Sequence, residues 1–349
     1  MEFLFSNIAP VKTRYNTFDK EFYSLLGESN ELNIAVGYVT ADSISELHKT
    51  LEMNRGKKLN LIIGMHYLDL FTRMEYNAAI SLNQFLKRET MGTVRLVTPF
   101  RFHGKLYTYF KDGNPVAGII GSNNLSSIVS QTSRIYESSY VFRNDKIVLE
   151  MNDFIRNLSN NATRSIEDLS IDIFKNNNPL LENHEHVAKV SDAEVDRLFN
   201  LKTGEQYSIP LKDTPKSNMN VFFGEGRRQP NGIVRPRHWY EVEIIVSKSI
   251  ATQPGYPQSK TDSAIFDVVT DDGWRFKCKV SGDYNKNLRS ADDLQILGKW
   301  IKGKLEQTGV LNVGEQVTRG TFEKYGNDSI TLSKTKEKGV WLMEFRGNK

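Results

Sequence analysis

Between residues 32 and 100 the chain alternates apolar runs with amphipathic segments: LNIAVGYV (32–39), SISELHKTLEM (43–53), KLNLIIGM (58–65), YNAAISLNQFLKRE (76–89) and TVRLVTPF (93–100). Short apolar runs separated by segments of helical spacing predict strand-helix-strand units around a buried sheet. Three closely spaced strand candidates follow, HGKLYTYF (103–110), PVAGIIGS (115–122) and RIYESSYVF (134–142), and then a helical pattern, KIVLEMNDFIRNL (146–158). The intervening KDGN at 111–114 reads as the turn of a hairpin. The expected fold class is α/β, a mixed sheet flanked by helices.

From about 159 to 190 the sequence is rich in Asn, Ser and acids (SNNATRSIEDLSIDIFKNNNPLLENHEH), the texture of a linker. Beyond it, β-branched and aromatic runs are separated by Gly, Pro, Asp and Asn: WYEVEIIVS (239–247), AIFDVVT (264–270), WRFKCKVS (274–281), ITLSK (330–334) and VWLMEF (340–345). One helix interrupts them, ADDLQILGKWIKGKLEQTG (291–309), with Ala291, Asp292 and Asp293 expected in its first turn and Gly309 at its end. A small β-barrel carrying a helix fits this pattern, with Trp239, Trp274, Trp300 and Trp341 expected in its core. The division expected is a first domain over 1–160, a linker over 161–195 and a second domain over 196–349.

With 349 residues, 39% hydrophobic and 25% charged, the chain is long enough for two cores and is neither disordered nor membrane-like in composition. No run approaches the roughly 20 apolar residues of a spanning helix. The start, MEFLFSNIAP, lacks the basic segment of a secretory signal, so an intracellular location is expected. The single cysteine, Cys278, excludes an intrachain disulfide and a zinc site of several thiolates. The net charge is +4, but residues 1–200 carry about −2 and residues 201–349 about +6. Arg227, Arg228, Arg235 and Arg237 concentrate that excess in one Gly- and Pro-containing stretch, which suits either a polyanion or a solvated basic loop.

The stretch that carries chemistry is FHGKLYTYFKDGNPVAGIIGSNNLSS, residues 102–127. It places H-x-K (His103, Lys105) on one expected strand and G-S-x-N (Gly121, Ser122, Asn124) at the end of the next. Side chains two apart in a strand face the same side, so His103 and Lys105 are expected to project together, with Gly104 allowing close approach. The GSNN turn brings N–H groups, a hydroxyl and an amide to the same edge, a cradle for a phosphate. An imidazole there can act as a nucleophile, Lys105 and Asn124 can neutralise and orient the non-bridging oxygens, and Ser122 can add a hydrogen bond to the transition state. Glu137 offers a carboxylate to hold the His103 tautomer. The scheme needs no metal and no cofactor. One H-x-K in a chain with six histidines is close to chance, whereas its combination with G-S-x-N across a hairpin is much rarer.

At these residues the sequence resembles the phospholipase D superfamily, whose pattern is H-x-K, four residues, D, about six residues and G-S-x-N. The Asp position holds Phe110, and the nearest acid is Asp112. That departure disfavours a lipid phospholipase and matches the nuclease branch, in which a Glu downstream of G-S-x-N occurs. Over both halves the chain resembles the NgoFVII-type restriction endonucleases, relatives of BfiI, which join a phospholipase D-like nuclease domain to a B3-like DNA-binding barrel. The resemblance implies His103 as nucleophile forming a phosphohistidine, with Lys105, Ser122 and Asn124 as phosphate ligands and Glu137 in support. It implies double-stranded DNA as partner, a bacterial cytoplasmic setting, and a cognate DNA methyltransferase that acts on the same site without having to bind this chain.

A phospholipase D-like site uses two such histidines, one attacking and one protonating the leaving oxygen. His48, His66, His184, His186 and His238 are not followed two residues later by Lys. The resemblance therefore implies a homodimer with one composite site. The acid-x-Lys pattern of magnesium-dependent restriction nucleases is absent from the sequence. His184 and His186 are expected on a linker surface.

A B3-like barrel grips the major groove with two arms. The first candidate arm is GEGRRQPNGIVRPRH (224–238), bearing Arg227, Arg228, Asn231, Arg235 and Arg237. Arg can pair with guanine and Asn with adenine in bidentate fashion. The second arm follows WRFKCKV and offers Ser281, Asp283, Tyr284, Asn285, Lys286, Asn287 and Arg289, with Lys279 at the end of the strand before it; Asp283 can accept from cytosine and the lysines meet phosphates. The expected function is a type II site-specific restriction endonuclease. A phospholipase D-like phosphodiesterase on another substrate and a DNA-binding protein with a vestigial nuclease site are the alternatives.

Overall fold

The computed structural model describes residues 2–129, 135–176, 179–260 and 264–348. These divide into two compact units, the first built from Met1–Asn177 with Gly226–Pro236 and Asn312–Gly314. Its elements in chain order are β1 (Glu2–Phe5), α1 (Phe18–Glu28), β2 (Glu31–Val36), α2 (Ala41–Met53), β3 (Lys58–Ile63), α3 (His66–Asp69), α4 (Arg73–Arg88), β4 (Gly92–Val97), β5 (Lys105–Lys111), β6 (Asn114–Gly121), β7 (Ser138–Phe142), α5 (Asp145–Ala162) and β8 (Thr163–Ser165). The strands form one eight-stranded sheet in the order β1-β7-β6-β5-β2-β3-β4-β8. β2, β3 and β4 are parallel, as the alternating pattern predicts, and their other neighbours are antiparallel.

Period-two alternation sorts the strand residues onto two cores. Ile34, Val36, Leu59, Leu61, Ile63, Tyr107 and Tyr109 join one apolar cluster with residues of α1, α2 and α4. Ala35, Ile62, Leu106 and Phe110 join another, with Val148, Met151, Ile155 and Leu158 of α5, a helical stripe at spacings of three and four. Phe110, the residue at the superfamily's Asp position, is therefore a core residue, where an unpaired carboxylate would be desolvated. The expected hairpin forms: Lys111 pairs with Asn114, and Asp112 and Gly113 take the positive φ angles, 51° and 82°, of a turn with both central residues left-handed. In the run 134–142 only Ser138–Phe142 is strand, and Arg134 lies outside the described residues.

The expected linker starts later than residue 161. Thr163 and Ser165 pair with Val97 and Arg95, and Ile166 and Leu169 are buried in the first core, so this polar-looking segment adds the eighth strand. A second difference is larger. Gly226–Pro236, inside the stretch expected to be a DNA-binding arm, packs with the first unit as a two-stranded hairpin and buries Ile233 in its core.

The second unit comprises Asn178–Glu225, Arg237–Leu311 and Glu315–Lys349. Continuing the chain order, β9 (Ala188–Lys189), α6 (Asp192–Asn200) and β10 (Lys202–Pro210) precede the hairpin strands β11 (Arg227–Arg228) and β12 (Val234–Arg235). β13 (Ile244–Ile245), α7 (Lys248–Ala251), β14 (Ile265–Thr270), β15 (Trp274–Ser281), β16 (Asn287–Ser290), α8 (Ile296–Gln307), α9 (Arg319–Tyr325), β17 (Ser329–Thr335) and β18 (Val340–Glu344) follow. The sheet runs β10-β17-β18-β14-β15-β16-β13, with β9 on β15. Such an antiparallel-dominated sheet with a buried helix is the partial barrel that the strand texture predicts.

Three expectations change here. WYEVEIIVS yields only the two-residue β13, and Trp239 and Tyr240 lie before it, buried, with their side chains donating to Glu306. The helix begins at Ile296, and Asp293 stands before it, its carboxylate accepting from the Gln295 N–H. Trp239, Trp300 and Trp341 are buried, but Trp274 is only half-buried beneath the Lys189 ammonium. No helix among the described residues is long and apolar enough to cross a membrane.

Candidate active site

The carboxyl ends of β2 and β3, the start of β5 and the end of β6 meet at one edge of the first sheet. Register fixes this: Val36 is opposite Lys105, and Leu106 is opposite Ile120. Gly37, Tyr38, His103 and the Ser122–Asn124 turn therefore share the edge beyond the last strand pairs, a position where open sheets commonly bind ligands.

His103 precedes β5 rather than lying on it. It is exposed whereas Lys105 is only 7% exposed, so the two do not project as one strand face. What joins them is a hydrogen bond: Lys105 Nζ donates to the His103 carbonyl oxygen at 2.7 Å. A nearly sealed ammonium needs such an acceptor. Burial pushes the amine below the usual lysine range, and the Glu137 charge partly offsets this. The backbone passes His103 closely, since a Cβ at Gly37 would lie 2.9 Å from His103 Cδ2 and 3.3 Å from its Cα. The space over Gly104 is filled by the Phe102 ring, 2.4 Å from where a Cβ would stand, so Gly104 answers to packing.

Asn124 Oδ1 accepts the Tyr38 backbone N–H at 3.0 Å, which assigns its amide NH2 the role of donor. Its neighbour Asn123 is the structural half of GSNN, accepting from the Ser139 hydroxyl at 2.6 Å and, through its carbonyl, from Tyr107 at 2.8 Å. Ser122 is less free than the motif suggests. Its Oγ accepts the Ser138 N–H at 2.9 Å and donates to the Ser138 carbonyl at 3.2 Å. Gly121 is required at this crossing, because a Cβ would stand 2.2 Å from Ser139 Oγ and 2.4 Å from the Ser138 carbonyl oxygen. Glu137 is half-buried, its backbone paired with Ser6, and its charge acts on Lys105 and Tyr107.

Sequence reasoning missed the layer behind His103. The Tyr38 ring meets the imidazole edge-on, with centroids 5.6 Å apart and planes at 77°. The Tyr38 hydroxyl donates to Asp69 Oδ2 at 2.8 Å, and Arg101 Nε donates to Asp69 Oδ1 at 2.7 Å. These two donors hold the Asp69 carboxyl below the usual carboxylate range. His66, 1% exposed, accepts the Val39 N–H on Nε2 at 3.1 Å and stacks on Phe71. Burial and the Lys175 charge push His66 down to about 4, so it is neutral at physiological pH. No motif spacing marks these residues, whose roles arise from chain crossings.

The expected DNA-binding residues divide by environment. Arg227 and Arg228 are exposed on β11. Asn231 donates to the Tyr23 carbonyl at 2.8 Å, and Arg235 pairs with Glu46 at 2.8 Å and lies 4.4 Å over the Tyr23 ring, so both anchor the hairpin to the first unit. Arg237 is held by Glu241 and Glu243. In the second arm Asp283, Tyr284 and Lys286 are exposed, and Tyr284 and Asn285 take left-handed φ angles of 57° and 58° in a tight loop. Lys279, Ser281, Asn285, Asn287 and Arg289 are half-buried. Asn285 Nδ2 donates to Gln258 at 2.6 Å, and Lys279 Nζ donates to the Ala291 carbonyl at 3.4 Å. His184 is buried rather than on a linker surface, 3.5 Å from Asp293.

Residues 16–173 match the NgoFVII restriction endonuclease N-terminal PLD domain, and residues 198–336 match the NgoFVII C-terminal B3-like DNA-binding domain. The chain belongs to the NgoFVII restriction endonuclease family. Its first unit carries the phospholipase D-like nuclease domain of the NgoFVII family and its second the B3-like DNA-binding domain. Among solved structures it is similar to the phospholipase D family member Nuc from Salmonella typhimurium, at 15% identity over 47% of this chain and 95% of that one, TM-score 0.30. It is also similar to phosphatidylserine synthase from Haemophilus influenzae, at 16% identity over 48% of this chain and 41% of that one, TM-score 0.34. Polyphosphate kinase from Porphyromonas gingivalis is similar at 14% identity over 47% of this chain and 24% of that one, TM-score 0.31. Among curated proteins none matches the chain significantly.

Proposed function

We propose that this chain cleaves DNA as a metal-independent type II restriction endonuclease through a phosphohistidine on His103. The observation that carries the reading is the grouping of an exposed imidazole with a nearly sealed Lys105, tied to the histidine's own carbonyl, and an Asn124 amide whose oxygen is held by the Tyr38 N–H. Neutral His103 attacks phosphorus, a P–N bond forms as the P–O bond breaks, and the leaving oxygen takes a proton from a second imidazole. Water then attacks phosphorus, returning a proton to that imidazole as the P–N bond breaks. Lys105 and the Asn124 amide stabilise the charge on the non-bridging oxygens.

The second imidazole is His103 of another copy. His66, which shares the Tyr38 ring with His103, is sealed and occupied by the Val39 N–H, so it cannot exchange protons with substrate. A twofold dimer with one composite site supplies what a single chain lacks. On the second unit the exposed Asp283, Tyr284 and Lys286 meet DNA, together with Arg227 and Arg228 of the hairpin. Arg235, Asn231 and Arg237 reach it only by exchanging their present partners.

Digestion of DNAs of known sequence in excess EDTA tests the reading. The wild type should give discrete fragments and sediment as a dimer. His103→Ala should give none while retaining salt-sensitive binding. Cleavage that depends on added magnesium, cleavage by His103→Ala, or full activity in a monomer would overturn it.

A further inference from the structure

We propose that Tyr38 is the positioning residue of the site, fixing the His103 imidazole and the Asn124 amide together. Two groups of one residue reach two groups of the constellation: the backbone N–H holds Asn124 Oδ1 at 3.0 Å, and the ring lies edge-on to His103 at 5.6 Å and 77°. An edge-on contact favours one orientation of the imidazole over others.

Tyr38 is itself held at three points. Its hydroxyl donates to Asp69 Oδ2 at 2.8 Å, and Asp69 is clamped from the other side by Arg101, two residues before His103. The next peptide is fixed by His66 Nε2, and the His66 ring packs against the Tyr38 ring at 5.4 Å. Gly37 before it has no room for a side chain, since a Cβ would come within 2.9 Å of His103 and 3.3 Å of Met65. Displacing Tyr38 must therefore move the nucleophile and the phosphate ligand at once. The arrangement couples the loop after β2 to the loop before β5 through Asp69 and Arg101.

The functional half of this inference rests on His103 being the nucleophile, and the experiment separates the two ideas. Purified full-length wild type, Tyr38→Phe, Tyr38→Ala, Asp69→Asn and Tyr38→Phe/Asp69→Asn are compared in steady-state cleavage and by NMR of 13C-histidine-labelled protein. The His103 resonance is assigned by its loss in His103→Ala, and circular dichroism confirms folding. Expected are a fall in kcat of roughly 3- to 10-fold for Tyr38→Phe and on the order of 100-fold for Tyr38→Ala, with KM little changed, as a displaced reacting group gives. Asp69→Asn leaves one acceptor oxygen for two donors and weakens the Arg101 pair as well, so it should cost at least as much as Tyr38→Phe, and the double variant should fall short of the sum of the two because the Tyr38–Asp69 link is common to both. The His103 resonance should shift in Tyr38→Ala. An unmoved resonance, a Tyr38→Ala kcat within twofold of wild type, or additive losses in the double variant would overturn the proposal. If His103→Ala still cleaves, the nucleophile assignment fails while the NMR arm still decides whether Tyr38 positions His103.

Discussion

Replacing Arg235 by methionine probes the grip of the β11–β12 hairpin on the first unit. The Glu46 side chain is 1% exposed, and its Oε1 accepts from Arg235 Nε at 2.8 Å and from the Tyr23 hydroxyl at 2.9 Å. Burial works against the Arg235 charge, but Tyr23, Glu46 and Asp19 more than offset it and raise the guanidinium's pKa. Methionine retains most of the stem's packing while deleting the charge and the 2.6 Å bond from Nη2 to the Ile128 carbonyl. A sealed carboxylate then keeps one neutral donor, and breaking a buried pair in this way costs about 3–5 kcal/mol. At roughly 2–4 °C per kcal/mol for a domain of this size, the first unit should melt some 6–20 °C lower. Calorimetry measures the shift. Adding Glu46→Gln removes the stranded charge, so the double variant should recover at least half of the loss. A single variant within about 1 kcal/mol of wild type, the value of an exposed pair, would refute the reasoning, as would a double variant that is worse than the single.

Two further predictions concern stability. Burial pushes the Lys302 amine down to about 7, with Nζ donating to the Trp239 carbonyl at 2.5 Å. An unfolded lysine holds its proton to about 10.4, so the unfolded state binds more protons between these values and wild-type stability must rise with pH across that window. Urea unfolding from pH 7 to 10 should show a steeper rise for wild type than for Lys302→Met, and equal slopes would count against it. Gly121→Ala should cost about 1–3 kcal/mol and depress cleavage, because the new methyl meets Ser138 and Ser139 backbone atoms at 2.4 Å. A melting temperature and kcat equal to wild type would show that β6 and β7 can separate there without loss.

The strand-helix alternation of residues 32–100, the KDGN hairpin and the pairing of H-x-K with G-S-x-N were all legible in the chain, because periodicity and turn chemistry are local properties. They carried the α/β class, the family and the candidate constellation of His103, Lys105 and Asn124. The segment 163–169 and β10 were not legible, since their short apolar content becomes a strand or a core only when Val97 and Ile330 lie opposite. Tertiary structure alone decided that His103 is exposed while Lys105 is buried, that Phe110 faces the α5 core where the superfamily pattern has an acid, and that Tyr38, Asp69 and Arg101 back the imidazole. It also decided that Arg235, read as part of a basic arm, is an anchor beside Glu46. The physical reason is common to all of them. A residue's type and spacing set what its side chain can do, but burial and long-range partners set its charge state and exposure, and those depend on residues tens to hundreds of positions away.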